Sequence, residues 1–127
     1  MAQFFRTATP MGDWRELDFT CDVSGGVESG ELLRHNDTVG ICFNAADFGD
    51  NVRLIYEIEK AMVDKLTGSG EDIAEGEWVY WSGVYGTGVS ANYTSGWYKI
   101  GICVAAAGED DTSVMIDLFG KIAEIGE

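Results

Sequence analysis

Glu75-Gly76-Glu77-Trp78-Val79-Tyr80-Trp81-Ser82-Gly83 sets four large or β-branched side chains, Trp78 to Trp81, between two glycines. Aromatic and β-branched side chains fit a pleated, packed surface, and glycine punctuates it at each end. Residues 77–81 therefore read as a short strand with aromatics on both faces. One face is turned to a core and the other to a second layer or a partner.

Outward from this stretch, alternation recurs along most of the chain. Upstream, Leu17, Phe19, Cys21 and Val23 alternate with Asp18, Thr20 and Asp22, a strand with one dry face. Two short strands follow, at 28–33 and 39–43, around the turn Arg34-His35-Asn36-Asp37. Residues 51–59 carry the longest alternating run. Residues 60–66 are ambiguous, because Ile58, Met62 and Leu66 have helical spacing, but Thr67-Gly68-Ser69-Gly70 stops the run, and an extended segment is preferred. Downstream, residues 83–96 read as a long hairpin tip or loop. Residues 97–104 alternate again, with Tyr98, Ile100, Ile102 and Val104 on one face, and Val114, Ile116 and Leu118 mark a last strand.

Two parts of the chain echo each other. Ser29-Gly30-Glu31-Leu32-Leu33 and Val39-Gly40-Ile41-Cys42-Phe43-Asn44-Ala45-Ala46 are matched by Glu75-Gly76-Glu77-Trp78-Val79 and Ile100-Gly101-Ile102-Cys103-Val104-Ala105-Ala106-Ala107. Two hairpins on one plan suit a small barrel with rough internal symmetry. Gly40 and Gly101, each inside a strand, signal a bulge or the close approach of another backbone. The expected fold is all-β: a small antiparallel barrel or sandwich of about seven to eight short strands. Residues 1–13 form an extended N-terminal arm, 14–120 one β domain, and 121–127 a C-terminal tail.

Composition narrows the function. The chain has 127 residues, enough for one domain with its own core. Its 22 acidic residues against 8 Lys and Arg leave a net charge of −14, which disfavours a nucleic-acid backbone or an anionic membrane surface. The cysteines, Cys21, Cys42 and Cys103, are odd in number and lack metal-site spacing, so free buried thiols are expected. No apolar run is long enough to span a membrane, and no leader pattern opens the sequence, so synthesis in a reducing cytoplasm is expected.

No catalytic constellation emerges. His35 is the only histidine and sits in a turn beside Asn36 and Asp37. The glycines at 83, 86 and 88 lack the helix start and lysine of a phosphate loop. Ser82 and Ser95 have no base to activate them. Glu109-Asp110-Asp111 and Asp47-x-x-Asp50 match no calcium loop and read as solvated turns. No cofactor and no metal is expected. What stands out is the surplus of aromatics, with Trp81 and Tyr85 flanking a glycine in a turn, and Phe4-Phe5-Arg6 near the start. Two phenylalanines left in water cost roughly 1.5–3 kcal/mol each. These five residues are the candidate partner-binding set.

The order of the short motifs resembles a known family. Its carriers are Gly25-Gly26-Val27-Glu28-Ser29-Gly30, Val39-Gly40-Ile41, Ile73-Ala74-Glu75-Gly76-Glu77-Trp78-Val79-Tyr80-Trp81, Ile100-Gly101-Ile102-Cys103-Val104 and Asp111-Thr112-Ser113-Val114-Met115-Ile116-Asp117-Leu118. Together they resemble the small phage head decoration, or cement, proteins from about Leu17 to Leu118. The chain departs from that pattern with Glu77 for a usual Asp, Ser82 for a common acid, and the long 83–96 insertion. The resemblance implies a non-enzymatic β domain on the outer capsid surface, binding the major capsid protein and self-associating as a homotrimer. The alternative from another class is a free-standing carbohydrate- or ligand-binding β module that uses the insertion's aromatics.

Overall fold

The computed structural model describes residues 14–120. The expected arm and tail, with Phe4, Phe5 and Arg6, lie outside the described residues. Within them all regular structure is strand: β1 (Arg15–Thr20), β2 (Leu32–His35), β3 (Thr38–Cys42), β4 (Asn51–Asp64), β5 (Trp78–Trp81), β6 (Tyr98–Ala105) and β7 (Ser113–Phe119). They form one antiparallel sheet in the order β2-β3-β4-β7-β6-β5, with β1 on β4, curled into a half-barrel. The expected all-β fold holds. The ambiguous stretch after residue 59 is extended, as the second half of β4.

β4 is the spine. Ile55 pairs with Glu16 of β1 and with Ile41 of β3, while Glu57 pairs with Arg15 of β1 and with Phe119 of β7. β3 and β7 therefore lie end to end along the same edge of β4. Gly120 seals the seam: its N–H donates to Tyr56 O at 2.6 Å, and its carbonyl accepts from Val39 N–H at 2.8 Å. A Cβ here would collide with Val39 O, so only glycine fits.

The sequence echo is a structural duplication in matching register. Val27 and Ala46 exchange backbone hydrogen bonds, as do Ile73 and Ala107. Gly30 N–H donates to Cys42 O and Gly76 N–H to Cys103 O, both at 2.8 Å. Cys42 N–H donates to Glu31 O and Cys103 N–H to Glu77 O, both at 2.9 Å. Gly30 and Gly76 share a positive φ, 95° and 91°, which the turn into each hairpin requires. Leu33 faces Gly40 across one hairpin and Val79 faces Gly101 across the other. The repeat extends beyond the hairpins. Thr20 opposite Asn51 in β1–β4 matches Asp64 opposite Ser113 in β4–β7. The unit β1-β2-β3-β4 is thus followed by a unit β4-β5-β6-β7 that reuses β4.

The larger core lies inside the curl and includes Ile41, Ile55, Ile58, Ala61, Val63, Val79, Trp81, Ile100, Cys103, Ile116 and Leu118. A smaller one belongs to the first repeat: Cys21, Val27, Leu33, Cys42, Ala46, Val52 and Leu54. In β6 it is Ile100 and Cys103 that are buried, while Ile102 and Val104 are only partly covered. The single inward face expected from alternation is broken, and the β6–β7 register shifts between Cys103 and Ala105.

All three cysteines are free and buried. Burial pushes the Cys42 thiol up to about 12, with Cys21 and Glu31 adding to the shift. Burial also raises Cys103. Such thiols stay protonated and are inert as nucleophiles.

Two outcomes are expected. Gly101→Ala puts a Cβ against Asp117 O, and Gly40→Ala puts one 2.5 Å from Ile55 O. Each should lower unfolding free energy by about 1–3 kcal/mol in denaturant titrations, whereas Gly108→Ala, facing open space apart from Asp111, should change it by less than about 0.5 kcal/mol. The second concerns pH. Folded Cys42 keeps its proton up to about 12, whereas a free thiol loses it near 9.0. The folded chain therefore binds more protons across that window, and stability falls as pH rises through it. The denaturation midpoint should drop between about pH 8 and pH 10.5, and drop less in Cys42→Ala.

Candidate functional site

β5 divides its side chains by parity. Val79 and Trp81 are fully buried, while Trp78 is 44% exposed and Tyr80 is half-buried on the opposite face. Trp78 stands across from Ile102 in the β5–β6 ladder. The Nζ of Lys99 lies 4.5 Å from the centre of the Trp78 ring, within cation–π range. Tyr80 meets Tyr93 edge-on, with ring centres 5.3 Å apart and planes at 64°. Tyr93 itself is 43% exposed. Trp78, Tyr80, Tyr93, Lys99 and Ile102 thus form an outward aromatic face on the second hairpin.

The long connection between β5 and β6 is held rigidly over this hairpin. Trp81 Nε1–H donates to Thr87 O at 3.0 Å, Thr87 Oγ1–H donates to Val84 O at 2.7 Å, and Ser82 Oγ lies 2.9 Å from Thr87 Oγ1. Further along, Ser90 Oγ–H donates to Glu71 Oε1 at 2.7 Å and Asn92 Nδ2–H donates to Gly70 O at 3.0 Å. Val89 N–H donates to Asp64 O and Ser90 exchanges two bonds with Tyr80, so this connection also stitches β5 back to the end of β4.

The partner-binding residues expected from sequence fare differently. Trp81 is a correction: it has no exposed surface, its ring belongs to the main core, and its indole N–H secures the loop. Next to a glycine it read as a turn residue, but it is the last inward position of β5. Tyr85 is half-buried, packs against the smaller core, and accepts a hydrogen bond from Glu28 N–H at 2.8 Å, tying the insertion to the first repeat. Burial raises its phenol above the ordinary value. Phe4, Phe5 and Arg6 fall outside the described residues. Aromatics occupy both parities of β5, so exposure alone separates Trp78 from Trp81, and the same holds for Tyr93 against Tyr85 in the insertion.

Other candidate chemistry is spent on structure. His35 stacks on Phe19 at 3.9 Å between ring centres and lies 3.5 Å from Asn36 Nδ2. Asp111 Oδ2 accepts from Gly108 N–H, and Glu109 Oε2 accepts from Gly70 N–H. Lys65 is buried and donates to the carbonyls of Leu66, Glu109 and Asp111 at 2.7, 3.3 and 3.2 Å. Among the described residues no three His, Cys, Asp or Glu side chains converge as for a metal ion. An open depression of about 410 Å³ beside Met62, Ala105 and Met115 offers Asp111 as its one carboxylate, and that group already accepts from Gly108.

Residues 11–118 match the family model described as phage cement protein. No curated protein and no solved structure matches the chain significantly.

Proposed function

We infer the function from one premise: this chain belongs to the phage cement protein family, whose model spans β1 to β7 up to Leu118. A cement protein decorates a phage capsid. In our reading this one binds the outer surface of the head, bridges neighbouring subunits of the major capsid protein, and does so without catalysis. It is made in the host cytoplasm and acts as a homotrimer. Residues 14–120 are the rigid body, residues 1–13 an arm that brings Phe4, Phe5 and Arg6 to the partner, and residues 121–127 a tail.

The observation that carries the contact surface is the exposure of Trp78 under a lysine. An aromatic ring with an apolar body is the side chain that most often anchors an interface. In a chain of net charge −14, the cation resting on it lowers local repulsion toward other acidic surfaces. Of the insertion's tyrosines, Tyr85 packs against the smaller core and accepts from Glu28 N–H, which counts against a carbohydrate module that stacks sugars on it.

Undecorated capsids mixed with the protein should sediment with it and gain thermal stability. Trp78→Ala should weaken that binding about thirtyfold or more, an interface anchor's worth of about 2 kcal/mol, with the unfolding midpoint of the free protein unchanged. Trp81→Ala should instead cost about 3–5 kcal/mol of folding stability. Capsid binding that survives Trp78→Ala intact moves the contact off this face.

A further inference from the structure

The second repeat contains a piece of chain that the first lacks. Residues 89 and 90 lie parallel to the end of β4 and antiparallel to β5. Val89 N–H donates to Asp64 O at 2.8 Å and Leu66 N–H to Val89 O at 2.9 Å; Tyr80 N–H donates to Ser90 O at 2.8 Å and Ser90 N–H to Tyr80 O at 2.9 Å. That short strand closes the ring between the two outer edges of the repeat.

The shared register locates the equivalent groups in the first repeat. Cys21 N–H donates to Asp50 O as Lys65 N–H does to Thr112 O, so Thr20 stands for Asp64 and Asp22 for Leu66. Leu33 faces Gly40 as Val79 faces Gly101, so Arg34 stands for Tyr80. In an antiparallel ladder, alternate residues turn their N–H and C=O groups outward. Here Thr20 and Asp22 face away from β4, and Arg34 faces away from β3. Among the described residues the Thr20 carbonyl, the Asp22 N–H and both main-chain groups of Arg34 have no partner. The cause is the connection. Asn36-Asp37 joins β2 to β3 directly, whereas the chain between β5 and β6 is long enough to fold back as a closing strand. In the first repeat Phe19 of β1 and His35 of β2 stack ring on ring instead, which covers apolar surface but satisfies no backbone group.

We propose that these unpaired main-chain groups of β1 and β2 receive an extended strand from residues 1–13 of a second copy of the chain. Recognition would run mainly through the main chain, as in strand addition generally. Residues 1–13 directly precede β1 in sequence, and a strand parallel to β1 needs a crossover of about a dozen residues or more before joining it, which makes a second copy the source. Charge favours the same occupant. Asp18 and Asp22 flank Thr20 in sequence, and residues 1–13 balance Arg6 against Asp13, so the whole net charge of −14 lies in the rest of the chain. Thr7-Ala8 repeats the β-branched and small pair of Val89-Ser90.

The test uses the full chain free in solution, so its outcome is read separately from capsid binding. With Arg34 replaced by benzoylphenylalanine, ordinary and heavy-isotope-labelled protein are mixed, illuminated and mapped. Cross-links should join position 34 of one isotope to residues 1–13 of the other. Absence of such links at every concentration, or links from this position only to a capsid subunit on decorated heads, overturns the proposal. Asp22→Pro removes one outward N–H, a position where an edge tolerates proline. By sedimentation it should weaken self-association about fivefold, a hydrogen bond's worth, at an unchanged unfolding midpoint. Self-association that is unaltered in Asp22→Pro also overturns it.

Discussion

Both edges of β4 are hydrogen-bonded, and one of them is shared by two strands that belong to different repeats. That sharing forces the local features around it. The strand must bend where it passes from β3 to β7, and the β4–β7 register shifts between Ile58 and Ala61. Lys60 takes the left-handed conformation at that point, φ 58°, which costs a non-glycine residue roughly 1–2 kcal/mol. Its N–H, turned out of the ladder, is recovered by Asp117 Oδ1 at 3.0 Å. Gly120 completes the arrangement by serving Tyr56 and Val39 at once. The two repeats are therefore one folding unit, since neither can move without breaking the strand they hold in common.

The bend also explains what the sequence left ambiguous. Ile58, Ala61 and Val63 all reach the main core because the bulge inserts residues between them. Their three-then-two spacing breaks the period of two at the bulge, and the helical spacing of Ile58, Met62 and Leu66 marks no helix. Most of the other strands were legible, because one buried face imposes a period of two. The duplication was legible in its hairpins, where Gly-Ile-Cys recurs under the same steric demand. It was not legible in β1 and the second half of β4. Those strands share register but hardly any residue types, and Cys21 and Lys65 hold equivalent places with unrelated side chains.

The candidate site was read less well, for a physical reason. A strand with large rings at both parities carries no internal mark of which face is covered; that depends on partners distant in sequence. Trp81 belongs to a core that also holds Ile41 and Ile55 of the first repeat's strands. The corresponding outer face of the second repeat has no third repeat to cover it. Leu32, 3% exposed in the first hairpin, corresponds to Trp78, 44% exposed in the second. The two repeats are thus unequal by position: the plan that buries Leu32 leaves Trp78 to solvent.

Charge sharpens that inequality. Several of the few cations are committed within the chain: Arg15 to Glu57, Arg53 to Glu16 and Asp18, Arg34 over Tyr98, and Lys65 to three carbonyls. These pairings offset little of the net −14, so copies brought close on a shell repel one another. Lys99 differs from Arg15 and Arg53 in placement, since it sits on an exposed ring rather than beside a carboxylate. Contact between acidic bodies is least opposed where apolar area is largest and the local charge is least negative. At Trp78 an exposed ring carries the ammonium of Lys99, so on the second hairpin apolar area and a positive charge lie together, which lowers the electrostatic cost of a neighbour's approach there.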